Sequence, residues 1–248
     1  MLFIIIILII SILLITILNT IHFNELKSFF RLGNVIVFGS RGKGKDVLFN
    51  TISNKDKFYY SNIPYTNKNH EIITIKDLEL GDNTFNNLIN NDFKKVNWKF
   101  KENTDFYLSD CGAFMPSQYD STLHKIYPSF PITYAFSRHI GNHNIHCNSQ
   151  NLERIWKALR EQADTYIKCL GVIKLPFFLI LKYRIYDKYS SARNDIRPIK
   201  VGLLKNDSNI KIQNANVGYI KESWIIVSKR KTKYNSRYFK EILIDNAD

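Results

Sequence analysis

The longest apolar stretch of the chain comes first. Residues 2–18 are apolar except for Ser11 and Thr16, whose hydroxyls can bond back to a helix carbonyl one turn earlier. Carried on to Ile21, the segment rises about 30 Å at roughly 1.5 Å per residue, the thickness of a bilayer's hydrocarbon core. A helix packed against the core of a domain this size would show a polar face, and this stretch has none. A cleaved signal peptide calls for a basic stretch before the apolar run and small residues after it. No Lys or Arg precedes the run, and Asn19-Thr20-Ile21-His22 offers no cleavage site. The pattern predicts an uncleaved, single-pass transmembrane anchor over 1–21. Lys27, Arg31, Arg41, Lys43 and Lys45 all follow it, which places the N-terminus outside and the remainder in the cytoplasm.

After a short basic, aromatic connector over 22–33 the hydrophobic period changes. Asn34-Val35-Ile36-Val37-Phe38 is a compact apolar run, read as a buried strand. A glycine-rich turn over 39–45 follows, then helical spacing at Val47, Leu48 and Ile52. Further short strands are expected at 57–61, 71–75, 105–110, 144–149 and 166–172. An amphipathic helix is expected over 151–161, with Leu152, Ile155, Trp156 and Leu159 on one face. Residues 81–103 are Asn-rich and charged, a helix or loop over the sheet. Strands alternating with helices predict an α/β fold, a mainly parallel sheet flanked by helices, over 34–175. Alternating runs at 182–186 and 223–227 predict antiparallel strands in a β-rich basic extension over 176–248. The apolar run 175–181, between Lys174 and Lys182, is too short to span and suits a buried strand or a membrane-surface contact.

Composition narrows the class. The 248 residues suit one domain with a small extension, and 45% hydrophobic residues exclude global disorder. Lys and Arg number 35 against 22 Asp and Glu, a net +13. Residues 1–20 carry no charge, so all of it lies beyond the anchor. Such a balance points to anionic partners: nucleic acid, phospholipid head groups or nucleotides. Abundant Asn, Ile and Lys also reflect AT-rich coding, which accounts for part of the charge. Three cysteines, at 111, 147 and 169, exclude a disulfide framework and suit a reducing compartment.

The chemistry centres on Gly39-Ser40-Arg41-Gly42-Lys43-Gly44-Lys45, which fits G-x-x-x-x-G-K, the Walker A pattern. A buried strand precedes it and a helix follows, the context a phosphate-binding loop requires. Glycines let backbone N–H groups wrap a phosphate, and the helix N-terminus adds its positive end. Lys45 would reach the β- and γ-phosphates of ATP. The plainer alternative is an ordinary basic glycine turn. The residue after the Lys should be Ser or Thr, whose hydroxyl binds Mg²⁺; here it is Asp46. A carboxylate can ligate Mg²⁺ but adds negative charge beside the phosphates. Phe106-Tyr107-Leu108-Ser109-Asp110 has the form of a Walker B strand, with Asp110 set to hold Mg²⁺ through water. The alternative is a surface carboxylate ending a strand. The next residue, where many such ATPases carry a Glu, is Cys111.

Downstream lie Ser137-Arg138-His139-Ile140-Gly141, a strand ending in Ser149-Gln150, and a helix carrying Arg160. From this point the chain resembles the zonula occludens toxin-like (Zot) assembly ATPases of filamentous phages, within the FtsK–HerA group of P-loop motors. The likeness covers residues 34–172, and a shorter, plectrovirus-like variant suits the position of the anchor. It implies a host-membrane ATPase that assembles and exports phage particles carrying single-stranded DNA. It also implies a homo-oligomeric ring and contacts with coat or other assembly proteins. Gln150 would sense the γ-phosphate. Arg138 or Arg160 would act as an arginine finger across a subunit boundary; alternatively Arg160 pairs with Glu161 or Asp164. Asp46 and Cys111 leave two rivals open: a non-hydrolysing nucleotide- or DNA-binding membrane scaffold, and a DNA-translocating packaging motor. His139, His143, His146 and Cys147 invite a metal reading, which a turn running into a strand would scatter. The strip 229–238, rich in Lys and Arg with Tyr234 and Tyr238, suits single-stranded DNA, lipid or solvent.

Overall fold

The computed structural model describes residues 2–53, 58–65, 69–79, 99–111, 129–196 and 218–229. Helix α1 (Leu2–Leu32) does not stop where the apolar run ends. The stretch expected as a connector continues the helix, because no Gly or Pro interrupts it before Gly33. Ser11 and Thr16 donate to the carbonyls of Ile7 and Ile12 at 2.8 Å each. The apolar side chains of α1 from Phe3 to Leu18 are exposed, whereas Leu26 and Phe30 are buried in the globular core. Among the described residues α1 is the one helix long and apolar enough to cross a membrane.

Gly33 and Asn34 turn the chain into β1 (Val35–Phe38). Asn34 fixes this corner: its N–H donates to Asp164 Oδ2 at 2.8 Å, its Nδ2 to the Tyr134 carbonyl at 3.2 Å, and its Oδ1 accepts from Ile145 N–H at 2.8 Å. The other strands are β2 (Tyr59–Ser61), β3 (His70–Ile72), β4 (Asp105–Leu108), β5 (Ile145–Ser149), β6 (Thr165–Lys174), β7 (Phe178–Tyr186) and β8 (Lys221–Ser228). They form one sheet in the order β3-β2-β4-β5-β1-β6-β7-β8. Pairing is parallel from β3 to β6 and antiparallel from β6 through β7 to β8. The alternation of β1 sends Ile36 and Phe38 to one core and Val35 and Val37 to the other. The first face is covered by α3 (Phe130–Gly141), α4 (Lys157–Gln162) and α5 (Tyr189–Ile196) through Tyr134, Leu159 and Ala192. The second is covered by α2 (Lys45–Ser53) and by the end of α1.

The antiparallel strands expected beyond residue 176 are β7 and β8, and they extend the same sheet. Three local expectations change. The helix expected over 151–161 is split into a 3-10 turn (Leu152–Arg154) and α4. The Asn151 side chain accepts from Glu153 N–H at 3.0 Å and starts its own short turn, while Ile155 is extended. Leu152, Ile155 and Leu159 are buried all the same, so burial did not need one continuous helix. Helix α3 has no counterpart among the expected elements: in place of a turn over Gly141 and Asn142, Gly141 is its last residue and Asn142, at φ 53°, is the left-handed cap that ends it. Strand β3 stops at Ile72, because the Asp77 carboxylate accepts from Thr74 N–H and Oγ1 at 2.8 and 2.7 Å and closes a 3-10 turn. The expectations for 81–98 and for 230–238 lie outside the described residues.

Candidate functional site: a phosphate loop facing two carboxylates

The turn after β1 bends back on itself through glycines. Gly42 and Gly44 take φ of 79° and 92°, values that L side chains avoid. Gly44 also has no room for a side chain: a Cβ there would come within 2.5 Å of both Leu181 and Val172. Lys43 N–H closes onto the Ser40 carbonyl at 3.3 Å, and Leu48 N–H onto Gly44 at 2.9 Å starts α2. Lys45 is 5% exposed, and its Nζ donates to the Ser40 carbonyl at 3.4 Å. Its ammonium therefore lies folded across the loop whose phosphate it would bind. A cavity of about 190 Å³ opens here, lined by Gly42, Gly44, Lys45 and Asp46 and walled by Val172, Lys174 and Leu179.

Opposite the loop, the end of β4 is held in place by a polar network. Asn62 brackets Ser109, accepting from its N–H at 2.7 Å and donating to its carbonyl at 2.8 Å. Ser109 Oγ meets Tyr65 OH at 2.5 Å and donates to Asp46 Oδ1 at 3.1 Å. Asn148, buried in β5, donates to the same Asp46 oxygen at 2.8 Å and accepts from Asp110 N–H at 2.8 Å. One amide thus ties the Asp46 carboxylate to the main chain of Asp110, the two residues expected at Mg²⁺. Asp110 has φ 51°, left-handed backbone that turns the chain off β4. Burial raises its carboxyl above the usual range, the Asp46 charge adds to this, and Lys45 and Arg41 oppose it. Two neighbouring carboxylates with a buried Lys suit a divalent cation and a phosphate together.

Of the remaining expected residues, Gln150 follows a strand end bonded to the loop, and Arg138 and Arg160 lie elsewhere. Gln150 is exposed just past β5, where the preceding Ser149 carbonyl accepts from Gly39 N–H at 3.3 Å. Arg138 lies at the other end of β1. It donates to Asp164 at 3.1 Å, to Asn144 Oδ1 at 3.3 Å and to the Leu32 carbonyl. It pins the end of α1 to the start of β6, and it is about 13 Å of strand away from the loop. Arg160 is 4% exposed, with a guanidinium N–H donating to Tyr189 OH at 2.5 Å and the Tyr189 ring 5.0 Å away. This bond goes to a tyrosine rather than to Glu161 or Asp164. Cys111 is buried, and burial followed by the neighbouring Cys147 pushes its thiol well above the ordinary value. His143 bonds the Thr104 carbonyl at 2.7 Å, and His146 packs between Phe30 and Tyr107. No group of three His, Cys, Asp or Glu side chains converges for a metal among the described residues.

Asn148, Ser109 and Asn62 were not singled out from the sequence. The available signal was a polar residue in a strand expected to be buried, Asn148, and polar residues directly after strand ends, Asn62 and Ser109: a buried Asn needs partners. A separate cavity of about 510 Å³ lies between α1 and β8. It is lined by Asn19, Thr20, Lys27, Arg31 and Thr51 among others, and shares no residue with the phosphate loop.

Strand, glycine loop, helix and an opposing carboxylate strand together define a P-loop NTPase fold. The sequence matches no protein-family model and no curated protein. Among solved structures, the chain is similar to the N-terminal domain of zonular occludens toxin from Neisseria meningitidis. That likeness has 11% identity and a TM-score of 0.44, over 63% of this chain and 84% of that one. It is also similar to the genome packaging NTPase B204 from Sulfolobus turreted icosahedral virus 2, solved with AMPPCP. Here identity is 15% and the TM-score 0.38, over 64% and 93%.

Proposed function

We propose that this chain is a membrane-anchored P-loop ATPase that drives assembly and export of filamentous phage particles. The observation that carries the nucleotide part is the juxtaposition of Lys45, Asp46 and Asp110 around one glycine loop, with Asn148 tying the Asp46 carboxylate to the main chain of Asp110. Lys45 and the loop N–H groups hold the phosphates of ATP. Asp46 and Asp110 would hold Mg²⁺, which when bound would supply charge neutralisation on the phosphates. Asn148 and Ser109 fix the Asp46 carboxylate, and Gln150 senses the terminal phosphate. The export part rests on the apolar exposed half of α1 and on the family resemblance of residues 34–172. The host membrane, a homo-oligomeric ring, coat or other assembly proteins, and single-stranded DNA are the partners this reading requires.

Cys111 favours slow turnover. A neutral, buried thiol beside Asp110 cannot take a proton from water, so the site has no second acidic group at the usual base position. This also keeps the second reading alive: a scaffold that is gated by nucleotide and does not turn it over. Particle release by cells producing the virion separates function from fold. Lys45→Ala should abolish release while intracellular single-stranded DNA accumulates. Undiminished release from that variant removes the proposed role.

A further inference from the structure

The β6–β7 hairpin has an apolar tip without cover. Phe177 is 76% exposed, Ile173 60%, Phe178 48% and Leu175 41%. Its direction is fixed by three contacts between α1 and β8. Asn19 pairs both main-chain groups of Ile226, accepting from N–H at 2.7 Å and donating to the carbonyl at 3.2 Å. His22 Nδ1 meets the Trp224 carbonyl at 3.1 Å, and Lys221 pairs with Glu25. Strand β8 therefore runs antiparallel to α1, and its C-terminal end heads toward the apolar half of the helix.

The sheet register carries this over to the hairpin. Phe178 pairs with Ser228, two residues beyond Ile226, and Lys229 N–H donates to the Phe177 carbonyl at 3.1 Å. Two strand residues advance about 7 Å, which equals four to five helix residues. The tip therefore lies level with α1 near Leu14 and Ile15, inside the apolar span. Lys174, exposed at the tip, has a stem long enough to lift its charge to the head groups.

We propose that the tip, residues 173–178, inserts into the same membrane leaflet that α1 crosses, a second lipid contact of the same chain. This rests on the reading of α1 as a membrane span. The same hairpin supplies Val172, Lys174 and Leu179 to the wall of the phosphate cavity. Val172 and Leu181 also close over Gly44. The nucleotide loop thus sits directly beneath the bilayer, and its wall is continuous with the inserted tip.

The test uses the full chain in vesicles containing anionic phospholipid. Phe177→Cys carries an environment-sensitive fluorophore; the tip is exposed, so the substitution spares the core. Cys111, Cys147 and Cys169 are buried and leave the introduced thiol as the accessible one. Leu8→Cys and Glu102→Cys mark the span and the far end of β4. The label at 177 should lose quenching by aqueous iodide and gain quenching by lipid-borne nitroxide, as at 8 and unlike 102. A water-accessible label at 177 with a lipid-buried label at 8 overturns the insertion and leaves the anchor intact. A label at 177 shielded from both quenchers marks a contact between subunits and also overturns it. A water-accessible label at 8 removes the anchor reading itself, and the insertion with it.

Discussion

Asp46 stands where a hydroxyl is expected, and Asp46→Asn isolates what its charge does. The amide keeps an oxygen to accept from Asn148 and Ser109, now at 2.8 and 3.1 Å from Asp46 Oδ1, so the network persists and the fold loses little. The negative charge goes. Asp46 is the second residue of α2, directly after Lys45, so a bound phosphate lies on the order of 7 Å away. At an effective dielectric constant near 20, two unit charges at that distance repel by about 2.4 kcal/mol. Salt and partial exposure reduce this to about 1 kcal/mol, roughly a fivefold change in affinity. Titration of the full chain with a fluorescent ATP analogue should show that gain in EDTA at low salt. The gain should shrink at high salt. With Mg²⁺ it should shrink again or reverse, because a ligand oxygen for the cation is lost. Removing the charge also removes one of the two causes that hold Asp110 up, so its carboxyl should titrate lower in the variant. An unchanged or weaker affinity in EDTA at low salt would mean that Asp46 does not face the phosphates, and the site geometry argued above would be wrong.

Other substitutions probe the frame around the site. Phe30→Ala empties a buried position packed on Phe49, Tyr107 and His146; it should cost about 3–5 kcal/mol in denaturant unfolding, and an unchanged midpoint would detach α1 from the core. Asn19→Leu removes both bonds to Ile226, so amide exchange should speed up at Ile226 and stay slow at Ile36. Arg138→Ala should loosen the Gly33 corner, lowering thermal stability without changing ATP affinity; a large loss of turnover with intact stability would restore it as a finger. Asp195 accepts from Lys168 at 2.6 Å, Arg184 at 3.0 Å and Tyr186 at 2.5 Å. Burial works against its charge, but these partners outweigh it and hold the carboxyl low. Its contribution is therefore present above the unfolded value near 4 and lost as pH falls through the lower folded value. Asp195→Asn should flatten the acid limb of the stability curve, and an unaltered limb would show that the cluster adds nothing.

The parts legible in the sequence were those with a strong local signal. The apolar span, the buried β1 run and the glycine loop each dictate their own conformation, and α2 and β4 follow in place. Residues 22–32 resemble a linker because charged and aromatic residues alternate there, whereas Leu26 and Phe30, one turn apart, are buried in the core and Phe23 and Phe29 pack against it. Arg138 and Arg160 follow from pattern order along the chain, which carries no information about which end of a strand a side chain occupies. Arg138 falls at the start of β1 and Arg160 beneath Tyr189 for that reason. Asn148 is not legible because its importance comes from tying β5 to the end of β4 and to α2, a non-local fact. The same holds for β7 and β8, whose alternation marks strands but not the sheet they join.

Nucleotide binding by the full chain in lipid nanodiscs, beside Lys45→Ala, tests the central claim most directly. The account predicts Mg²⁺-dependent ATP binding with slow phosphate release, both lost in the variant while its melting temperature without nucleotide is retained. ATP binding that survives Lys45→Ala, or no binding by the intact chain, would contradict it.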